Sequence, residues 1–358
     1  MKIVDIQLKN TSFKRRKVFK IAFTESLYAK GIYVKITTDS GICGLGEAVP
    51  MAFVTGETAG SVAAAIELMK PALLGADPAD PEQIHAIMDR LLLNNTSAKA
   101  AIDIACYDII GKSRGMAVHR LLGAQENQIV TDMTIGIDTE EKMVEDALGR
   151  VAQGFRVLKV KGGISPREDI SHLRAIRTAV GDAAELRVDF NQGYDFDTAL
   201  SVLRQLPELG ITEVEQPLIA WDMDGMAALK RCSPVPLMID EGVHLPWQAV
   251  QACEKDACDI VNIKLMKCGG IYPAMQIADI ARRYGKPCMV GCMSESKLGI
   301  AAGAAVVAAN RDLMGVVDLD SFMSFLDGEG GVTGGFTVTG DVLTLSEQPA
   351  FGFDEYEF

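Results

Sequence analysis

Lys159 and Lys161 stand one residue apart in Val157-Leu158-Lys159-Val160-Lys161-Gly162-Gly163, a run with the composition of a strand. Side chains alternate faces along a strand, so both ammonium groups point to one side and Leu158 and Val160 to the other. Placing two like charges inside a protein is costly unless anions meet them. Candidate anions recur downstream at the ends of similar runs. They are Asp189 in Val188-Asp189-Phe190-Asn191, Glu215 in Val214-Glu215-Gln216-Pro217 and Asp240 in Ile239-Asp240-Glu241. A further lysine, Lys264, follows in Asn262-Ile263-Lys264-Leu265, and Asp318-Leu319-Asp320 repeats the two-apart spacing with carboxylates.

Three carboxylates from successive strands, facing one point at one height, repel each other and stay ionised only around a cation. Oxygen ligands without a nearby histidine or thiol select a hard divalent ion, Mg2+ rather than Zn2+. A lysine beside a cation in a partly dry site is expected to have its pKa pushed down, which makes it a usable base. Lys161 and Lys264, on opposite sides of such a metal, could take a proton from one face of a carbon acid and return it on the other. The metal would hold the substrate carboxylate and stabilise the enediolate left by proton loss. Lys267 has the opposite parity to Lys264 and reads as a loop residue. Two other chemistries remain open on the residues alone: a metal-free lyase forming an imine on a lysine, and a barrel that binds amino acids or peptides without catalysis.

The elements that would position these residues alternate strand and helix after Leu122-Gly123. Strands are expected at 129–137, 157–162, 186–191, 213–217, 236–241, 259–266, 287–292 and 314–320, with helices such as Pro166 to Val180 and Tyr272 to Tyr284 between them. Ser165 as N-cap with Pro166 at the first helical position is a clear helix start. Strands recurring at a spacing of roughly 25 residues predict an α/β fold, a (β/α)8-type barrel whose strand C-termini carry the active site. An open doubly wound sheet is less favoured, because no Gly-x-Gly-x-x-Gly follows a strand.

Residues 1–123 differ: strands at Ile3–Leu8 and Tyr33–Thr38 are followed by helices at about Gly60–Leu74, Asp80–Leu93 and Ser97–Gly111, an α+β domain with Ser97 as a candidate N-cap. The segments 21–30 and 50–58 read as lids, and 331–358 as a tail returning to this domain.

Composition bounds the rest. With 358 residues, 48% hydrophobic and 23% charged, the chain can bury a large core. A net charge of -13 disfavours nucleic acid or an anionic membrane as partner. The basic run Lys14-Arg15-Arg16-Lys17 has no apolar signal core after it and reads as a solvated turn. The longest apolar run, Leu298 to Ala309, is too short to span a bilayer. Eight cysteines without a Cys-x-x-Cys pair fit buried thiols in a reducing compartment, so a cytoplasmic protein is expected.

Taken together, Lys159-Val-Lys161, Asp189-Phe-Asn191, Glu215-Gln-Pro, Asp240-Glu241, Asn262-Ile-Lys264 and Gly291-Cys-Met-Ser-Glu295 resemble the enolase superfamily in its muconate-lactonizing-enzyme subgroup, over nearly the whole chain. The resemblance implies a modified (β/α)7β TIM-type barrel over about 124–322, an α+β capping domain from 1–123, and a tail, 323–358, returning to the cap. It also implies Mg2+ on Asp189, Glu215 and Asp240, Lys161 and Lys264 as acid and base, and Lys159 as a neutralising charge. A lysine base with Mg2+ stabilising an ene-diolate is the known chemistry of such sites. The mandelate-racemase branch uses a late histidine, and none follows His244.

Asp318-x-Asp320 matches a motif that holds the free N-terminus in dipeptide epimerases of the subgroup, which makes a dipeptide the expected small-molecule substrate. N-acylamino-acid racemases, o-succinylbenzoate synthases and cycloisomerases are the alternatives. Thr134 and Ser294 match substrate-contacting positions. Thr24 stands where Ala-Glu epimerases carry an arginine, so a Glu side chain at the second position is not implied. A homo-oligomer is expected.

Overall fold

The structure is a computed structural model that describes residues 1–356 and 358. Two strands, Ile3–Ile21 and Thr24–Thr38, form one long antiparallel hairpin, and Cys43–Ala48 adds a third strand to it. The segment expected as a lid is therefore the tip of this hairpin, turning at Ala22-Phe23. The basic run lies within the first strand rather than in a turn. Lys14 pairs with Tyr28 and Phe19 with Ser26, so residues 15–18 form a bulge opposite a single residue. Such an insertion bends the strand and re-aims its side chains.

The sheet's inner face is covered by helices Ala59–Leu73, Pro81–Leu91 and Thr96–Arg114. Gly46 allows the last of these to lie directly on the third strand, because a Cβ there would fall 1.8 Å from Ala101 O. That helix is not capped by Ser97. The backbone N–H groups of Ser97 and Ala98 donate to the Glu57 carboxylate at 2.9 and 3.2 Å, an anion at a helix N-terminus supplied from the preceding loop.

Strands Met133–Ile135, Val157–Lys161, Glu185–Asp189, Ile211–Glu215, Leu237–Ile239, Ile260–Ile263 and Cys288–Val290 follow each other around one parallel sheet in chain order. The expected eighth strand, 314–320, is reduced to two parallel bridges, Thr131↔Val317 and Gly291↔Asp318, which join the sheet's two edges. A side chain explains the shortening: Thr131 Oγ1 accepts from Leu319 N at 2.8 Å, where a continued strand would present a backbone carbonyl. The expected first strand, 129–137, is split. Only Met133–Ile135 joins the barrel, while Gln128–Val130 pairs antiparallel with Val342–Leu345 of the tail.

The helices between the strands include Pro166–Val180, whose Ser165 hydroxyl accepts from Glu168 N as its sequence signature predicts. The apolar run 298–309 belongs to helix Lys297–Ala309, buried almost throughout. No helix among the described residues is long and apolar enough to cross a membrane. All eight cysteines are free, and six of them are buried. In the tail, the hairpin Phe336–Thr339 and Val342–Leu345 extends the sheet at Gln128–Val130, and Ala350 bridges to Ala117.

Candidate active site

The C-terminal ends of the barrel strands converge on a cavity of about 330 Å³, roofed by the hairpin tip and the 49–54 loop. Strand parity sends Lys159 and Lys161 inward as expected, and Lys264 enters from four positions away on a ring of eight, the opposite side. Asp189 and Glu215 lie level, whereas the level partner of Glu215 on the next strand is Met238, so Asp240 projects beyond the strand end. The backbone behind them is strained: Asn191 and Gln216 have φ of 41° and 34°. Left-handed backbone at non-glycine residues is costly and clusters where geometry must be held. Here it turns the chain sharply after Asp189 and Glu215, and Asn191 N donates back to Asp189 Oδ1 at 2.8 Å.

Each carboxylate is met by a lysine. Lys161 Nζ is 2.5 Å from Asp189, Lys264 Nζ is 2.6 Å from Asp240 and 3.9 Å from Glu215, and Lys159 Nζ is 3.4 Å from Glu215 and 3.8 Å from Asp189. The lysines therefore cover the three carboxylates, and it is the lysines, with Asn191 and Glu241, that line the cavity. At Lys264 the pairing reverses the pKa direction expected from the sequence. Burial works against the charge of Lys264, but Asp240 and Glu215 outweigh it and raise the amine. Lys159 is raised against its burial by Asp318, Glu215 and Asp189. A lowered lysine requires the carboxylates' charge to be taken up by a cation.

The donor set suits one. Burial together with the charges of Asp189 and Asp240 pushes Glu215 up to about 8, which marks an excess of negative charge around it. Asn191 Oδ1, Asn262 Oδ1 and Glu241 Oε2 are buried acceptors with no donor among the described residues. Oxygen-only ligands in this number fit a hard divalent ion. The carboxylate oxygens are not gathered around one point as they stand, since the acid-rich set whose ligand atoms all lie within 4.8 Å of one another is Cys292, Asp318 and Asp320.

Lys267 is not a loop residue. The sixth strand ends at Ile263, and Leu265–Cys268 forms a helical turn that carries Lys267 back under Asp240. Its ammonium, in a residue 1% exposed, donates to the carbonyls of Asp240, Val243 and Asn262 at 2.5, 3.0 and 2.9 Å and lies 2.6 Å from Asp240 Oδ1. Burial would raise Asp240, but Lys264 and Lys267 hold its carboxyl well below the usual range.

At the cavity's other side the two aspartates divide. Asp318 is the ion-pair partner of Lys159. Asp320, only 7% exposed, has no cation within 4.0 Å among the described residues and is held by Thr134 N at 2.6 Å, while Thr134 Oγ1 reaches Asp318 at 3.4 Å. Burial and the neighbouring Asp318 raise the Asp320 carboxyl. Ser294 and Thr24 also line the cavity.

Family models match both parts of the chain. Residues 3–123 match the mandelate racemase / muconate lactonizing enzyme N-terminal domain, and residues 142–355 the enolase C-terminal domain-like family. The chain belongs to this enolase-like family. It is 37% identical over 357 residues to the L-Ala-D/L-Glu epimerase of Clostridium acetobutylicum, covering 99% of both chains. It is also 37% identical over 357 residues to the N-succinyl-L-Arg/Lys racemase of Bacillus cereus, covering 99% of this chain and 95% of that one. A solved dipeptide epimerase from Enterococcus faecalis V583, complexed with Mg and L-Leu-L-Tyr, matches with a TM-score of 0.95 at 36% identity, over 99% of this chain and 100% of that one.

One residue of this enolase-like site escaped the sequence reading. Arg15, expected in a solvated turn, is 5% exposed and lines the cavity. The bulge frees it from the hairpin, and its backbone bridges instead to Phe325. Alternation alone could not have found it, because the inserted residues break the period of two.

Proposed function

We propose that the protein is a Mg2+-dependent dipeptide epimerase that inverts the α carbon of the C-terminal residue by proton transfer between two lysines. The observation that carries the substrate class is Asp320, a buried carboxylate on the cavity wall without a cation within 4.0 Å among the described residues. The ammonium group of a dipeptide completes it, and Thr134 holds it in place for that contact. Asp189, Glu215 and Asp240 would hold the metal, which would supply Lewis-acid polarisation of the substrate carboxylate. In one direction Lys161, neutral, takes the Cα proton as the C–H bond breaks. Lys264, charged, delivers its proton to the opposite face, and the two exchange roles for the reverse reaction. Lys159 faces the developing negative charge on the carboxylate carbon's oxygens. Ser294 and Thr24 border the bound peptide. The likeness to epimerases of dipeptides, one of them complexed with Mg, supports this reading.

Pairing of Asp318 with Lys159 leaves one aspartate rather than two for an ammonium, and this favours an N-acylamino-acid racemase as the second reading. Deuterium incorporation at Cα, followed by NMR in heavy water with Mg2+, separates the two. Exchange into L,L-dipeptides, abolished by chelation and lowered about 10- to 100-fold by Asp320→Asn, is expected for a charge-assisted contact. Exchange confined to N-acylated amino acids and indifferent to Asp320→Asn would replace the first reading with the second.

A further inference from the structure

Arg15 is a buried cation with neutral partners. Its Nη2 donates to Ser294 Oγ at 2.6 Å and its Nη1 to Ser324 Oγ at 3.2 Å, while Nε, also buried, has no acceptor. No carboxylate lies within 4.0 Å of the guanidinium among the described residues, in contrast to Arg187, which is ringed by Glu213, Glu185 and Asp132. The rings of Phe19 and Phe325 each stand 5.6 Å from its guanidinium carbon and fix its plane. Nothing in the proton transfer uses it. A planar, permanently charged fork held this way is suited to a carboxylate, which it can grip through two parallel hydrogen bonds.

Its place decides which part of the substrate it meets. Its partner Ser324 ends the short turn that starts from Asp320, and its partner Ser294 is two residues on from Cys292, whose Sγ lies 3.8 Å from Asp320 Oδ1. Arg15 thus belongs to the side of the cavity where the substrate's amino end is held. In a dipeptide the ammonium and the first side chain leave the same carbon, so an ammonium on Asp320 brings that side chain within reach of Arg15. We infer that Arg15 is a specificity-determining residue that receives a carboxylate carried on the amino side of the reacting residue. Two sources share this chemistry: the side chain of an acidic first residue, Asp or Glu, and the free carboxylate of an N-succinyl group. The inference deepens the proposed function and rests on it for the reaction measured.

The test compares kcat/KM for Cα deuterium exchange in the Mg2+-loaded enzyme across L-Ala-L-Xaa, L-Asp-L-Xaa, L-Glu-L-Xaa and N-succinyl-L-Xaa with one neutral Xaa, and L-Ala-L-Glu. Wild type, Arg15→Lys and Arg15→Met are measured together, with their melting temperatures. A carboxylate on the amino side is expected to give the highest rate. Arg15→Met should lower that rate about 10- to 100-fold while changing L-Ala-L-Xaa less than about threefold, with Arg15→Lys between the two. Preference for L-Asp or L-Glu first residues assigns the side chain as the source, and preference for N-succinyl assigns the acyl group.

An equal loss on every substrate, or Arg15-dependence that follows the acid in L-Ala-L-Glu instead, overturns the inference while leaving the epimerase reading intact. If no compound exchanges, the proposed reaction fails. Calorimetric affinities of the same ligands for wild type and Arg15→Met then decide the role of Arg15 alone: selective weakening of the amino-side acids upholds it, and equal affinities refute it.

Discussion

Replacing Lys267 by Met tests whether Asp240, proposed above as a metal ligand, is held from below. Met keeps the volume of the aliphatic stem, so packing is conserved and the charge is what changes. The substitution removes three hydrogen bonds to the carbonyls of Asp240, Val243 and Asn262 and the ion pair with Asp240 Oδ1 at 2.6 Å. Losing one member of a buried pair costs about 3–5 kcal/mol when the other charge is left uncompensated, and this is the ceiling here because Lys264 still stands 2.6 Å from Asp240. An unfolding entropy of about 2.1 cal/mol/K per residue, over the 358 residues, gives ~0.75 kcal/mol/K and a fall in Tm of at most roughly 4–7 °C. Thermal unfolding followed by circular dichroism reads this directly. The pair Lys267→Met with Asp240→Asn should cost less than the sum of the single changes, because both remove the same ion pair, giving a coupling of about 1–3 kcal/mol. A Tm within about 1 °C of wild type, or strict additivity of the two substitutions, would refute the assignment of Lys267 as the support of Asp240.

Three further outcomes are expected. Lys161→Ala and Lys264→Ala should each abolish epimerisation, by about 10²- to 10⁴-fold in kcat at saturating dipeptide, and epimerisation that survives either change would rule out two-base transfer. Gly291→Ala would place a Cβ 2.8 Å from both Lys264 Cε and Asn262 Oδ1. Turnover should drop at least about tenfold, the size of loss a misplaced catalytic group produces, with little change in Tm, and full activity would show that Lys264 can yield.

Stability should fall as pH rises through the neutral range. Burial raises Glu47 from 4.5 to about 7, and burial together with Glu47 raises Glu295 from 4.5 to about 8. The folded protein thus holds these protons more tightly than the unfolded chain. Their contribution is complete below about 4.5 and is lost by about pH 8. Urea midpoints at acidic and alkaline pH should show a shallower decline in Glu295→Gln, and an unchanged slope would contradict the assignment.

Much of the site is legible in the sequence because strand parity is a local property. Lys159 and Lys161 must share a face whatever surrounds them, and residues at the ends of parallel strands must meet at one rim. Ser165 caps its helix through its own backbone geometry, which no distant residue has to supply. The alternation of strand and helix, and with it the barrel, follows from the same short-range periods.

What the tertiary structure decided is which charge answers which. Asp318 and Asp320 are equivalent by spacing, yet among the described residues one closes on Lys159 and the other has no ion pair, because the ammonium delivered from a strand more than a hundred residues earlier reaches Asp318. Lys267 becomes a buried support because the sixth strand stops at Ile263 and coils beneath Asp240. Arg15 turns inward because a bulge breaks its strand's alternation and Phe325, from the far end of the chain, takes its backbone. Periodicity records the face a side chain takes. The partner on that face is set by contacts between residues far apart in the chain, where Coulomb and desolvation energies of several kcal/mol depend on distances that no local pattern contains.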